Sequence, residues 1–335
     1  MSDPNLTRRD EAVSPCPGCG AAESRLLWTL GDRLFRTTTR RFDLHRCPSC
    51  SLEFLNPAPR PEELPAFYPE GYWVGPSDRQ GDRGLRGRLT EAYRRVVLFD
   101  HVRFVRAVVE RQRREGRFVG LLDVGCGDGS FLEGLGARPG AGMDWSQNAA
   151  RAVLARNFPA LRGHVEALPV RDGAFSVITM FHVLEHLARA EPCLEAVRRA
   201  LAPGGSLVIQ VPNSACWQRR LLGGRWAGYD PPRHLVNYST KTLAETLERS
   251  GFEVLRRTQF SLRDNPTTLA NSLAPGLYPP ARATAVGGGL SEWGANLAYL
   301  GLVLAGLPFT WLESALGRGA AVMMEARPVT NGTSR

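Results

Sequence analysis

The sequence predicts an α/β fold for the main part of the chain, preceded by a small cysteine-containing module. From residue 118 to residue 261, short apolar runs alternate with amphipathic segments of helix length, as in a sheet covered by helices. The first run ends in a glycine-rich turn, Asp123-Val124-Gly125-Cys126-Gly127-Asp128-Gly129. Two Cys-x-x-Cys pairs near the N-terminus predict the module.

Composition permits one α/β domain of ordinary size with one or two small accessories. The chain has 335 residues, of which 43% are hydrophobic, so global disorder is excluded. The formal net charge is +9 and Lys241 is the only lysine, so arginine carries almost all the positive charge. Such a surface fits RNA, a nucleotide-linked substrate or an anionic membrane face. Residues 1–13 have no apolar signal core, and Cys126, Cys193 and Cys216 suit a reducing compartment, so we expect a cytoplasmic protein.

Residues 1–55 are predicted to form a zinc ribbon with a disordered N-terminus. Its four ligands would be Cys16, Cys19, Cys47 and Cys50, because proline and small residues within each pair permit a tight knuckle. Four thiolates leave no open coordination position, so this zinc is predicted to be structural. The alternatives are two disulfides or four unrelated cysteines.

Residues 56–117 are predicted to connect the ribbon to the main domain. Prolines and aromatic residues dominate 54–72, which is expected to pack on that domain, and 77–88 is expected to be a mobile loop. Apolar residues recur at helical spacing over 89–114, with arginines on the other face. That face is either solvated or a surface for an anionic partner.

The strands and helices of the main domain follow from apolar runs and their flanking turn residues. Ser239 is expected to cap a helix that Gly251 ends. Strands are predicted at 118–124, 140–144, near 161–165, 175–180, 206–211, 252–260 and 320–326, and helices at 147–157, 191–201 and 240–250.

The glycine turn carries a family resemblance. An apolar pair followed by D-x-G-x-G-x-G, here Asp123, Gly125, Gly127 and Gly129, resembles the first motif of class I S-adenosylmethionine-dependent methyltransferases. The resemblance implies a Rossmann-like seven-stranded sheet whose last strand is antiparallel. It implies a cofactor-binding core at 118–261, and a last strand with a tail at 319–335. S-adenosylmethionine would be held at Asp123, Gly125, Cys126 and Gly127, and amide groups at the start of the next helix are expected to face the ligand.

Four further residues are predicted to contact the cofactor. Asp144 ends the second strand and can accept both ribose hydroxyls, and Trp145 can stack on adenine or serve as a rim or core aromatic. Residues 163–169 resemble the family's third cofactor segment, which implies an adenine contact from Glu166 or the backbone N–H of Val165.

The loop after the fourth strand carries the candidate bases. Residues 182–187 resemble the small-molecule branch of the family, which includes ubiquinone-type O-methyltransferases. Some of those enzymes have an acid at the position of His182 and bind a metal there; with His182 present, no catalytic metal is predicted. His182, His186 and His234 are candidates for removing a proton from an oxygen acceptor, or for hydrogen bonding to backbone or cofactor. Residues 225–234 are predicted to form an acceptor lid in which Arg233 binds an anionic group.

An insert at 262–318 contains an uncharged apolar stretch, 293–312. A transmembrane helix is rejected because the last strand must return to the same sheet, and because Gly301, Gly306 and Pro308 are expected to interrupt the helix. The insert is predicted to cap the acceptor pocket, and 293–312 is expected to make a peripheral contact with the inner membrane face. Ordinary core and a dimer contact are the alternatives.

The predicted function is methyl transfer, most readily to oxygen, on a small-molecule, sugar or lipid-linked acceptor. The runner-up is methylation of RNA bases, since some ribosomal RNA methyltransferases have an N-terminal zinc ribbon and this chain is basic. Nucleic acid is disfavoured because the Asn/Asp-Pro-Pro-aromatic motif of exocyclic amine methylation does not follow the fourth strand. The third alternative, a non-catalytic S-adenosylmethionine-binding protein, is disfavoured by the intact glycine motif and Asp144.

Overall fold

A computed structural model describes residues 14–69, 93–283 and 290–329. The predictions for residues 1–13, for the loop at 77–88 and for the start of the helix at 89 lie outside these ranges. The described chain forms two sheets, one of four strands and one of seven.

The smaller sheet is antiparallel and has the strand order β1-β2-β3-β9. Three of its strands belong to the predicted ribbon, and the fourth comes from the chain after the fifth strand of the main sheet. The ribbon therefore shares its sheet with the main domain, although a boundary was predicted after residue 55. The strands are β1 (Arg25–Gly31), β2 (Arg41–Arg46), β3 (Glu53–Leu55) and β9 (Val236–Asn237).

The larger sheet has the order β10-β11-β8-β7-β4-β5-β6. Its last strand, β11, lies between β10 and β8 and is antiparallel to both, as predicted. All four residues of β4 are buried, which is typical of a parallel sheet covered on both faces. The strands are β4 (Leu121–Val124), β5 (Gly140–Asp144), β6 (Ala160–Arg162), β7 (Phe175–Phe181), β8 (Leu201–Pro212), β10 (Phe252–Thr258) and β11 (Ala321–Pro328).

Helices accompany the sheets in the described ranges. Ser239 caps α6 through a capping box with Thr242, as predicted. The helices are α1 (Phe99–Arg114), α2 (Ser130–Leu135), α3 (Gln147–Ala155), α4 (Glu191–Ala200), α5 (Trp217–Leu222), α6 (Thr240–Arg249), α7 (Asp264–Leu273), α8 (Pro279–Ala283) and α9 (Leu290–Ala315).

The predicted interruption of the apolar helix is wrong. Helix α9 continues through Gly301, Gly306 and Pro308. Pro308 and Leu304, whose carbonyl loses its helical donor, are both exposed residues. Gly306 lies on the buried side, and a Cβ there would lie 3.1 Å from Leu269, so this glycine allows α9 to pack closely on α7.

Candidate active site and zinc centre

The glycine turn connects β4 to α2 and lies against the loop after β7. Gly125 has φ +72°, and a Cβ atom there would lie 2.4 Å from Cγ2 of Val183. Any other residue would therefore be strained and would collide with that loop. This close approach explains the first glycine of the motif.

The amide groups of the turn are bonded within the protein, and the predicted contact of a ligand with the amide groups at the start of α2 stays a prediction. The N–H groups of Gly125 and Cys126 donate to Met143 O (2.8 and 3.2 Å), and Gly127 N–H donates to the Asp144 carboxylate (3.1 Å). Farther along, Ser130 N–H donates to its neighbour Asp128. The N–H groups of Gly125, Cys126, Gly127 and Ser130 therefore already have acceptors within the protein.

Two acidic residues predicted to bind the cofactor differ in environment. Asp144 ends β5, and its two oxygens accept N–H groups from Gly127 and Ser146 (3.1 and 2.8 Å) while burial raises its pKa. Asp123 accepts a hydrogen bond from Thr179 (2.6 Å) inside the sheet. Burial, together with the charge of Asp144, raises the pKa of Asp123 to about 7. Asp123 therefore makes its hydrogen bond inside the sheet, whereas Asp144 lies at the end of its strand.

The other predicted cofactor residues lie at the surface or in the core. The Cys126 thiol is 7% exposed and packs against Gly142, so only its backbone is available to a ligand. Val165 and Glu166 form a 3₁₀ turn in which Glu166 is exposed. Trp145 is half-exposed, beside Asp144.

Tyr68, which sequence analysis assigned only to the connector, joins the two halves of the site. Its ring lies edge-on to Trp145, with 6.3 Å between centroids. Its hydroxyl is 3.0 Å from Nδ1 of His186. The Phe67-Tyr68-Pro69 cluster was the only sequence signal for this contact, and it carried no information about the partner.

His182 is held between two carboxylates. It has φ +56°, in the left-handed region, and its ring nitrogens are 3.1 Å from Glu185 and 3.3 Å from Asp264. Burial alone would lower its pKa, but these two acids raise the pKa to about 9. His182 is therefore an imidazolium at neutral pH, which makes it unsuited to accept a proton.

His186 and His234 lie together, with ring centroids 4.8 Å apart. Each Nδ1 contacts a backbone carbonyl, of Arg233 (3.0 Å) and Gly228 (2.8 Å) respectively. Because a carbonyl only accepts hydrogen bonds, each of these contacts needs a proton on Nδ1. The Tyr68 hydroxyl beside Nδ1 of His186 then acts as an acceptor. Burial and the proximity of His234 lower the pKa of His186 to about 4, so His186 is neutral.

Glu185 stands beside this pair. One ligand atom from each of Glu185, His186 and His234 can be chosen so that all three lie within 4.8 Å of one another. The second carboxylate oxygen of Glu185 is buried and has no hydrogen-bond partner among the described residues. His182 is not part of this group. The absence of a catalytic metal stays a prediction, which metal analysis can test.

Arg233 does not face a ligand, which corrects the expectation that it binds an anionic group. Its guanidinium is fully buried and pairs with Asp32 (2.7 Å) and Asp230 (2.6 Å). It also donates to Phe67 O and stacks over the Phe35 ring. The arginine therefore fastens the lid to the ribbon.

The four predicted zinc ligands lie together. The distances between sulfur atoms are 3.6 Å for Cys16 and Cys50, and 3.5 Å for Cys19 and Cys47. Zinc–sulfur bonds of about 2.3 Å give tetrahedral sulfur separations of about 3.8 Å, so the cluster has the size of a zinc site. No disulfide links them. Burial opposes ionisation of Cys47, but backbone N–H groups and the Cys19 thiol lower its pKa to about 7.

The two knuckles have the same hydrogen bonds. The N–H of the first cysteine in each knuckle donates to the carbonyl five residues later, and its carbonyl accepts from the N–H four residues later. The residues at that fourth position, Gly20 and Ser51, have φ +75° and +66°. Two equivalent turns that converge on four sulfurs fit a zinc ribbon.

The fold and site define an α/β domain with a glycine turn after its first parallel strand and an acid after its second. A family model described as "Methyltransferase domain" matches residues 91–257. A Mycolicibacterium smegmatis protein named as an S-adenosylmethionine-dependent methyltransferase is 30% identical over 184 residues, 52% of this chain and 65% of the relative. A putative methyltransferase of Encephalitozoon cuniculi is 32% identical over 154 residues, covering 40% of this chain and 70% of the relative. The chain therefore belongs to the methyltransferase family.

Shorter matches include enzymes with different acceptors. A ubiquinone biosynthesis O-methyltransferase of Pectobacterium carotovorum is 29% identical over 138 residues, covering 36% of this chain and 56% of the relative. The mouse tRNA (carboxymethyluridine(34)-5-O)-methyltransferase ALKBH8 is 37% identical over 94 residues, covering 27% and 14%. The chain thus matches less than two thirds of the length of the Mycolicibacterium, Pectobacterium and mouse relatives.

Proposed function

We propose that the protein transfers a methyl group from S-adenosylmethionine to an oxygen atom of a small-molecule or lipid-linked acceptor. The observation that carries this proposal is a pair of histidines, His186 after β7 and His234 after β8, each with Nδ1 against a backbone carbonyl. An oxygen nucleophile must lose a proton, and a neutral imidazole can accept it.

The residues at the end of β5 fit the cofactor. Asp144 accepts one hydrogen bond at each oxygen, so each oxygen keeps a lone pair for a ribose hydroxyl. Trp145 offers a half-exposed ring beside it. When bound, S-adenosylmethionine supplies a methyl carbon already activated by its sulfonium.

The protein's own task is to orient the acceptor, exclude water and remove a proton. Nε2 of His186 or His234 would take the proton of the acceptor hydroxyl. The Arg233 carbonyl fixes the tautomer of the first ring, and the Gly228 carbonyl fixes that of the second. The buried carboxylate of Glu185 lies close enough to stabilise the imidazolium that forms.

The cysteine cluster is proposed to hold one structural zinc. Four sulfur ligands would fill the coordination sphere, so this zinc takes no part in the reaction. Its proposed role is to hold the ribbon, which supplies Asp32 to the lid and lies beside the connector that carries Tyr68.

Two of the relatives support different acceptors. The ubiquinone relative favours an oxygen on an apolar small molecule, and the tRNA relative favours RNA. Both act on oxygen according to their names, so the acceptor class is the question that an experiment must decide.

The test uses the full chain with methyl-labelled S-adenosylmethionine and fractionated cell extract. We expect label in the lipid or small-molecule fraction. His186→Asn, His234→Asn or both should reduce incorporation by about 100-fold or more, with cofactor affinity in calorimetry unchanged. Asp144→Ala should instead weaken cofactor binding. Label confined to RNA would favour the alternative acceptor, and cofactor binding without labelling of any fraction would indicate a non-catalytic protein.

A further inference from the structure

Helix α9 presents an apolar stripe to the outside. Its exposed residues recur at intervals of four, three, four and seven, which places them on one face of a helix. Their exposure ranges from 45% to 73%: Trp293, Leu297, Leu300, Leu304 and Trp311. In a water-soluble protein, this face of an amphipathic helix would carry polar residues.

The opposite face of α9 is polar and buried. The Tyr299 hydroxyl donates to Asn271 (2.9 Å), and the Glu313 carboxylate accepts from Gln218 (2.6 Å). Thr310 is 2% exposed and Glu313 has no exposed surface. From Tyr299 to Glu313 the helix is therefore inverted, with its polar side chains against the protein and large apolar side chains outside.

The helix lies along the domain instead of projecting from it. Tyr299 contacts the C-terminal part of α7, and Ser314 contacts Asn265 at the N-terminal part of α7 (2.7 Å). Residues Trp293–Ala315 are long and apolar enough to cross a membrane. However, a crossing would break these buried hydrogen bonds, so only the outer side of the helix is available to lipid.

The segments that contact or continue α9 carry exposed arginines. Among the described side chains of residues 214–229, 261–283 and 293–318, every exposed charged one is an arginine: Arg220, Arg225, Arg263 and Arg318. The acid of α9 in this range, Glu313, is buried. Arginine binds phosphate oxygens with a planar set of donors, so this surface is complementary to anionic headgroups.

We propose that this face docks on an anionic lipid bilayer, with α9 parallel to the membrane plane. The stripe enters the boundary between headgroups and acyl chains, and the arginines contact phosphates. Trp293 and Trp311, near the two ends of the stripe, suit that boundary because tryptophan concentrates at membrane interfaces. This proposal does not depend on the acceptor proposed above.

A second copy of the chain is a poorer occupant of the same face. A symmetric dimer would pair identical surfaces and bring arginines of both copies together. Paired helices also use charged residues beside their apolar seam to set register, and the chain from Trp293 to Leu312 has no charged residue.

The test is sedimentation of the full chain with vesicles of phosphatidylcholine, with or without phosphatidylglycerol. We expect binding to the anionic vesicles, weakened by salt. Leu304→Glu should weaken apparent lipid affinity about tenfold or more, because it places a carboxylate against the headgroups. The matched control is Leu154→Glu on α3, since the two leucines are 54% and 57% exposed. Both variants should keep the wild-type melting temperature.

Three outcomes would overturn the proposal. One is that the wild-type chain does not bind anionic vesicles at low salt. Another is that the control variant loses as much affinity as Leu304→Glu. The third is light scattering that shows a dimer which Leu304→Glu dissociates, because the stripe would then belong to an interface between two copies.

Discussion

At the scale of single residues, the loop after β7 separates two kinds of histidine. His182 has an acid at each ring nitrogen and is a cation, whereas His186 is turned towards a carbonyl and is neutral. Asp264, which makes this difference, comes from α7, 82 positions later in the chain. The sequence therefore identified the three histidines but could not rank them, since protonation depends on a distant partner.

The charge of His182 predicts a pH dependence of stability. Its pKa of about 9 lies above the ordinary value near 6.5, so its contribution is complete below pH 6.5 and is lost as pH rises through about 9. The whole loss should be on the order of 3 kcal/mol of unfolding free energy, of which about 2 kcal/mol falls between pH 7 and pH 9. Denaturant unfolding at pH 7 and pH 9 measures it.

The control for this prediction is His182→Gln, which should flatten the dependence between pH 7 and pH 9. Asp264 and Glu185 act at the other end of the scale, because their pKa values are lowered. Their stabilisation is lost as pH falls through the acidic range. A wild-type stability that is unchanged between pH 7 and pH 9 would contradict the ion pairs assigned to His182.

At the scale of elements, the zinc knuckles predict a metal dependence that is separate from the histidine site. Metal analysis should find one zinc per chain, and Cys47→Ser should lose it and destabilise the ribbon, because three thiolates bind zinc more weakly than four. Cys193→Ala should retain the zinc, since Cys193 is buried outside the cluster. A zinc that persists in Cys47→Ser would point to the group at Glu185.

The elements show how far local pattern predicts this fold. The seven strands of the main sheet were predicted because each has an apolar run of its own, and β5 matches the prediction to the residue. β9 was not predicted, since two residues have no period and its pairing with β3 is a long-range contact. β6 ends at Arg162, earlier than expected, because Val165 begins a 3₁₀ turn.

The candidate site was predictable where the chemical type of a residue and its position in the sequence both point to the same role. Asp144 could be inferred because an acid at the end of the second strand is adjacent to the glycine turn in any such sheet. Tyr68 and Asp264 could not, because they reach the site from the connector and the insert. The burial of Arg233 depends on Asp32, which lies 201 positions away.

At the scale of the whole molecule, Arg233 joins the ribbon, the connector and the lid. Arg233→Met should destabilise the chain by about 3–5 kcal/mol, because it leaves Asp32 and Asp230 buried without a counter-charge. Denaturant unfolding measures the loss. The matched control is Arg327→Met, whose exposed pair with Glu253 should contribute less than about 1 kcal/mol. Equal losses of unfolding free energy in the two variants would contradict this role of Arg233.

Strand β9, which the main domain contributes to the small sheet, constrains how the enzyme exchanges its ligands. If residues 226–237 moved away at each turnover, β9 would have to separate from β3. The Arg233 guanidinium would also have to leave the carboxylates of Asp32 and Asp230. Arg233 and β9 therefore hold this segment in place, and the membrane face proposed for α9 would let an apolar acceptor approach from the insert instead.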